Sequence, residues 1–421
     1  MLFPAIAIFV ASATGVVEAA TAIEWAAPGT GPLEQTANYV GFSNDTLDDY
    51  VDIVPGVVFD RFVQIWFENT DFNTAASTST FAKLAEQGLT FTKYHAVTHP
   101  SEPNYVAGLG GYHWGMHDDA FYHVPRNIST IVDLLEDKNI SWATYQENMP
   151  SVAYYGDGFE SHNYNDPNED DYPYYARKHN PHIIYDSVVS VPERAARIRN
   201  LNDFANDITN GSLPQWIWVT PNMVNDAHDT TIDFAASWLE YWLVPLLEDE
   251  RFNNEKTLIL VTFDETENYD IQNNIFSVVV GGALPSELKG TTDSTFYTHY
   301  SSLSTVQANW GLGSLGRQDT NKTMSNVFSF VADATGYSNK DVPEAEQPLL
   351  NLTEIYAGPL NAEIYIPFWA PDTSVEGAGG GKVFVSPELD TTVTIDKLPS
   401  PEKVEISPFE LPSDTTTLPE Y

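Results

Sequence analysis

Between residues 57 and 285, short runs of β-branched and aromatic residues alternate with longer stretches in which apolar residues return every three or four positions. That alternation predicts an α/β fold, with a mostly parallel central sheet flanked by helices. The apolar runs place strands at Phe62–Phe67, Trp142–Gln146, Trp216–Thr220, Leu258–Phe263 and Phe276–Val280. Helical periodicity covers Thr80–Gln87 with Gly88 as a stop, Ser129–Asp137, Pro192–Ile208 with Gly211 beyond it, and Thr231–Leu247. The last segment is rich in Trp, Leu and Phe, so it reads as a core helix.

Polar residues follow directly on three of these strands: Glu68-Asn69, Pro221-Asn222 and Asp264-Glu265. Ligands in open α/β sheets bind beyond the carboxyl ends of the strands, so these three distant segments are expected to meet on one rim.

The two ends of the chain change character. An apolar run from Leu2 to Val17 leads into Val17-Glu18-Ala19, which reads as a signal peptide over residues 1–19. The run is shorter than the ~20 residues a spanning helix needs, so no stable membrane insertion is expected. After about Ala370 a Gly-rich run, Gly377 to Gly381, precedes a Ser/Thr/Pro/Glu-rich segment. This predicts one folded domain over 20–370 and a disordered or O-glycosylated tail over 371–421. Six N-x-[ST] sequons, at Asn44, Asn127, Asn139, Asn210, Asn321 and Asn351, agree with export to the cell wall or medium.

Composition narrows the function. With 42% apolar and 13% aromatic residues in 421, the chain can bury a full core. Its 19 Lys+Arg against 59 Asp+Glu give a net charge of −40, which repels nucleic acid and anionic lipid at long range. An anionic substrate would therefore need a local positive site. The absence of cysteine rules out disulfides, thiolate-bound zinc and thiol catalysis. Nothing in the sequence sets an oligomeric state.

Three groups of residues carry candidate chemistry. Glu68, Asn69, Asp264 and Glu265 offer hard oxygen donors suited to Ca²⁺, Mg²⁺ or Mn²⁺, or to zinc with added histidine. Taken singly, each pair is an ordinary solvated loop; its place after an apolar strand is what singles it out. Thr98-His99-Pro100-Ser101-Glu102-Pro103-Asn104-Tyr105 pins Ser101 between two prolines. That serine is either a plain helix N-cap or a hydroxyl that a nearby cation could turn into a nucleophile. His179, His228 and His299 lie in polar loops beside predicted elements and could bind phosphoryl oxygens or protonate a leaving group, with Arg177 and Lys178 as bases against an oxyanion. His113 and His117 have helical metal-pair spacing, but Gly110, Gly111 and Gly115 around them argue for a loop. Asn165 to Asp171 is acidic without EF-hand spacing.

Taken together, Phe67-Glu68-Asn69, the Thr98 to Tyr105 segment, Ala176-Arg177-Lys178-His179-Asn180-Pro181, Asn225-Asp226-Ala227-His228-Asp229, Phe263-Asp264-Glu265 and Thr298-His299-Tyr300 resemble, in order, the motifs of the phosphoesterase family. That family includes secreted fungal acid phosphatases and phospholipases C and belongs to the alkaline phosphatase superfamily. The resemblance spans roughly residues 60 to 330. It implies an alkaline-phosphatase-like three-layer sandwich and a metal held by Glu68, Asn69, Ser101, Asp264 and Glu265. It further implies Ser101 as nucleophile, His228 as acid, and Lys178, His179, His299 and Asn104 on the substrate side. Asn222 stands where many superfamily members have a metal-binding Asp, and Asp264-Glu265 replaces Asp-His, so one divalent ion is expected rather than two. The expected substrates are small phosphate monoesters. A phosphodiesterase or phospholipase C on the same fold, or a non-catalytic wall or matrix glycoprotein, are the rival readings. A sulfatase is disfavoured because the cysteine precursor of its nucleophile is absent.

Overall fold

In a computed structural model, residues 53–166, 168–347, 357–361, 363–398 and 402–403 are described. The expected signal peptide and the sequons at Asn44 and Asn351 lie outside these residues. An eight-stranded sheet forms the centre: β1 (Arg61–Phe67), β2 (Leu89–Phe91), β3 (Trp142–Gln146), β4 (Ile198–Asn200), β5 (Trp216–Thr220), β6 (Thr257–Phe263), β7 (Ser277–Val280) and β8 (Thr291–Asp293). Across the sheet they run β8-β2-β7-β6-β1-β5-β3-β4. Only β7 opposes the others; it is antiparallel to both β6 and β2, while every other neighbouring pair is parallel. The five strands expected from the apolar runs all form. The three that pattern reading misses, β2, β4 and β8, have three residues each, too short to show a period.

Helices cover both faces, because β1 is apolar on both. Trp66 stacks on Trp218 of β5 and packs against Tyr105 of α2 (Ser101–Gly110) and His299 of α6 (His299–Trp310). On the opposite face Phe67 meets Phe81 of α1 (Ser79–Gln87) and Trp238 of α5 (Ile232–Trp238). Strands buried on both sides read as continuous hydrophobic runs, as seen in Trp-Ile-Trp-Val-Thr of β5. Helix α3 (Ile131–Asp137) starts from a Thr130–Asp133 capping box.

Two predicted segments are built differently. The helix expected over Pro192–Ile208 is broken into a single turn at Pro192–Ala195, strand β4, and α4 (Leu201–Asn210). Asn200 caps α4 through a reciprocal box with Asp203, which ends the strand and restarts the helix. Helix α5 continues past Trp238 through a π turn at Leu239–Leu243 into Val244–Leu247. Pro245 lacks an N–H and crowds the preceding turn, which the widened turn relieves.

The boundary expected at residue 370 falls inside packed structure. The backbone of Gly377 to Gly381 lies on the end of α6, where a Cβ on Gly379 would stand 2.4 Å from the carbonyl oxygens of Gln307 and Leu312. Val383 bridges Ser314, and Thr394 bridges Ala370. At Gly377, Gly379 and Gly381 only a backbone without a side chain fits so close to its neighbours, while Gly380 has room but a positive φ. Among the described residues no helix is long and apolar enough to cross a membrane.

Candidate active site

The carboxyl ends of β1, β3, β5 and β6 open onto one rim, and backbone bonds tie their loops together. Glu68 N–H donates to Asp226 O at 2.9 Å, Asp264 N–H to Phe67 O at 2.8 Å, and Thr70 N–H to Glu265 O at 3.1 Å. The segments after β1 and β6 thus meet directly, and the loop after β5 joins them through Asp226, whereas Asn222 itself turns to Glu147 and Asn148.

Ser101 opens the first turn of α2 and is buried. Its hydroxyl lies 2.9 Å from Glu68 Oε2 and 3.3 Å from Asn69 Oδ1. Tyr105, one helical turn along and so on the same face, donates its hydroxyl to Glu68 Oε1. Glu68 is therefore shared by two hydroxyls and by His179, whose Nε2 stands 3.2 Å from Oε1 while its Nδ1 is 3.3 Å from Asp226 Oδ2. Asp264 joins the cluster beside Ser101 with Oδ2 buried and unpartnered.

Glu265 lies on the far side of the Ser101 segment. Its Oε2 is 2.8 Å from His99 Nδ1, out of line for a hydrogen bond, and accepts from Asn104 Nδ2 at 3.3 Å. Asn104 itself is a brace: its Oδ1 accepts from the N–H groups of Val97 and Thr98 at 3.0 and 3.1 Å, fixing the turn before Ser101. His299 is placed apart from the other two histidines. It is fully buried, stacked on Trp66, with Nε2 2.7 Å from the carbonyl oxygen of Asp264, so it supports the strand end.

Lys178 and His228 form the outer edge. Lys178 Nζ lies 3.0 Å from Asp119 Oδ2 and 2.9 Å from His228 Nε2. His228 Nδ1 faces Asp229 Oδ1 at 2.7 Å, so Nε2 is the atom that accepts from the ammonium. Arg177 turns the other way, into the protein, with Nη2 on Tyr122 O at 2.8 Å, its guanidinium over Phe121 and Nη1 3.9 Å from Glu102. Of this basic pair, Lys178 is the one that reaches the site.

The electrostatics follow from burial. Desolvation lifts the carboxyls of Asp226, Asp264 and Glu265 well above the usual range, and the charge of Glu68 adds to it. Burial raises Glu68 too, against the opposing pull of His228, Lys178 and the two hydroxyls. Lys178 would be lowered by burial, but Glu68, Asp119 and Asp264 outweigh that and hold it above the ordinary lysine value. Burial drives His99 down to about 4 and His299 to about 3, and, with Lys178 next to it, pushes His179 far below the ordinary imidazole value. Four buried carboxyls packed this way, with the Asp264 oxygen unpartnered, suit a bound divalent cation. Glu68, His179 and His228 have donor atoms within 4.8 Å of one another, a second grouping able to hold a metal that shares Glu68 with the oxygen set.

Several contributors escape sequence reading. Tyr105 and Asp226 stand inside the quoted motifs, and the four-residue step from Ser101 to Tyr105 is a readable signal. Asp119 has none: it lies in an irregular loop, yet it accepts the Glu102 N–H at 2.9 Å and holds Lys178. Glu147, directly after β3, accepts from Asn222 N–H at 2.9 Å and Asn225 Nδ2 at 3.1 Å and so braces the loop that carries Asp226 and His228. His113 stands in a loop, as its glycines suggest, its Nδ1 accepting from Gly115 N–H. The sequon residues Asn139, Asn210 and Asn321 are exposed, whereas Asn127 is half-buried.

Residues 56–313 match the profile of the Phosphoesterase family. An acid phosphatase of Aspergillus fumigatus is 45% identical over 86% of this chain and 75% of its own. A phosphate-repressible acid phosphatase of Penicillium chrysogenum is 46% identical over 75% of this chain and 73% of its own. Among solved structures, a putative sulfatase from Bacteroides thetaiotaomicron aligns with a TM-score of 0.43 at 10% identity, over 66% of this chain and 75% of that one.

Proposed function

The chain belongs to the phosphoesterase family, and we propose that within it the protein is a secreted acid phosphatase that hydrolyses phosphate monoesters through Ser101. The observation that carries this reading is the Ser101 hydroxyl, 2.9 Å from a buried Glu68 carboxylate and set in a cluster of acids with the Lys178 ammonium on its edge. The names of the relatives favour the monoester class and the acid range. A family of ester hydrolases does not accommodate the reading as a non-catalytic glycoprotein. The apolar leader and the sequons support export, to the wall or beyond it.

In the first step Ser101 Oγ attacks phosphorus, the P–O bond to the alcohol breaks, and the serine proton passes to Glu68 Oε2. Lys178 turns from His228 to the phosphoryl oxygens, which frees His228 Nε2 to take up a proton from solvent and pass it to the departing alkoxide while Asp229 holds Nδ1. Water then attacks phosphorus and gives its proton to His228 Nε2; the Ser101–phosphorus bond breaks, Glu68 Oε2 returns its proton to Ser101 Oγ, and phosphate leaves. Glu68, Asn69, Ser101 and Asp264 offer the donors for one divalent ion, with Glu265 as a further carboxylate and His179 and His228 as the nitrogen alternative. Such an ion, when bound, supplies positive charge to the developing oxyanion and lowers the pKa of the serine hydroxyl.

The test is the ratio of monoester to diester hydrolysis at about pH 5 with one aryl leaving group, before and after chelation, with Ser101→Ala as control. A high ratio lost in the variant and on chelation is expected. A low ratio lost in the variant moves the activity to phosphodiester or phospholipid cleavage, and turnover unchanged in the variant removes Ser101 from the mechanism.

A further inference from the structure

The loop between β6 and β7 puts an aromatic ring at the mouth of the site that the chemistry above leaves unused. Its neck is pinned: Asn273 Oδ1 accepts from Thr266 N–H at 2.9 Å, and Asn273 Nδ2 donates to Thr98 O at 2.8 Å. Further out, Asn268 N–H donates to Asp71 Oδ1 at 3.0 Å. Between these anchors stand Tyr269 and Ile271, 40% and 39% exposed, two of the few large hydrophobic side chains left open among the described residues.

Tyr269 is held in place. One face of its ring lies on the His99 imidazole, with centroids 3.9 Å apart and planes at 28°, and its hydroxyl donates to Glu265 Oε1 at 3.3 Å. Part of the side chain remains open to solvent. Ser101 therefore has the ring on its His99 side and the Lys178–Asp119 pair on its Glu102 side. Buried acids and an ammonium handle the phosphoryl group. An exposed, fixed aromatic surface has no part in that and is a natural wall for whatever the phosphoryl group is attached to.

We propose that Tyr269 is a specificity-determining surface against which the alcohol part of the ester packs, so that esters of aryl or other flat apolar alcohols are preferred over those of small polyols. The proposal rests on the monoesterase reading. A pinned ring loses little freedom on binding, and an aromatic contact of this kind changes selectivity by about tenfold.

The experiment compares kcat/KM for phenyl phosphate and glycerol phosphate in the full chain, in Tyr269→Ala and in Tyr269→Phe. Because selectivity is a ratio within each protein, the inherent reactivity of the two esters and any general loss of active enzyme cancel between proteins. The expected result is a phenyl-to-glycerol ratio about tenfold lower in Tyr269→Ala, arising mainly in KM, and near the wild-type value in Tyr269→Phe, which keeps the ring. An equal fall for both esters, or a ratio lost equally in Tyr269→Phe, overturns the proposal, since the residue would then act through Glu265. Wild-type protein that turns over neither ester overturns the monoesterase reading and this proposal with it.

Discussion

Replacing Lys178 with Gln tests how so acidic a site accepts an anionic substrate. The ammonium lies 3.0 Å from Asp119 and 2.9 Å from His228, with the buried acids Glu68 and Asp264 close behind. A hydrogen bond to a charged group contributes about 1.5–3 kcal/mol, and each ~1.4 kcal/mol is a factor of ten, so kcat/KM for a monoester should fall roughly ten- to a hundredfold. Inorganic phosphate carries the same oxygens, so its inhibition constant should rise by a similar factor. Stability should change less, by about 1 kcal/mol, because the Lys178–Asp119 pair is partly open to water. The sign with pH is also set. The folded pKa of Lys178 lies above the unfolded one, so its contribution is complete below the ordinary lysine value and is lost only as pH rises through the higher folded value. Lys178 should therefore stay charged across the acid and neutral range, so any change in the loss there follows the second ionisation of the phosphoryl group, at pH ~6. The assay is steady-state kinetics with phosphate inhibition from about pH 4 to pH 8, beside thermal melts. A phosphate inhibition constant within about twofold of wild type, alongside reduced turnover, would refute the reasoning and leave Lys178 as a structural partner of Asp119.

Glu147 and Gly108 give two further predictions. Burial raises Glu147 to about 7 against its hydrogen bonds, so its contribution to stability is complete below the unfolded value near 4.5 and disappears as pH rises through about 7. Glu147→Gln resembles the protonated carboxyl that wild type carries at pH 5, so it should lie within about 1 kcal/mol of wild type there. By pH 8 the variant should have gained stability relative to wild type; melting temperatures whose difference does not change with pH would contradict it. At Gly108 a Cβ would stand 2.7 Å from Trp66 and 3.1 Å from Trp218, so Gly108→Ala should cost about 1–3 kcal/mol in denaturant unfolding. An unchanged midpoint would mean that α2 can move off the sheet freely.

Pattern reading reached the long central strands because burial on both faces leaves runs such as Leu258–Val261 wholly apolar, a signal that does not depend on neighbours. It also placed Glu68 and Asp264 together, since a parallel sheet delivers the ends of its strands to one rim whatever the loops do, while Ser101 joined them only through the family resemblance. The three-residue strand Ile198–Asn200 was hidden inside a helical period, because its identity comes from pairing with β3 rather than from its own residues. Gly377 to Gly381 read as a linker, because a glycine needed for close approach to a helix end is indistinguishable in sequence from one that merely bends.

Residue types and their order along the chain determined the sheet, the rim and the acidic chemistry available there. Only the tertiary structure decided that His299 backs the strand end while His179 and His228 face the cluster, that Arg177 turns inward while Lys178 turns outward, and that Asp119 and Tyr269 flank the serine. The physical reason is that strand burial is a property of a segment, whereas the direction of a polar side chain in a loop is set by partners that lie far away in sequence.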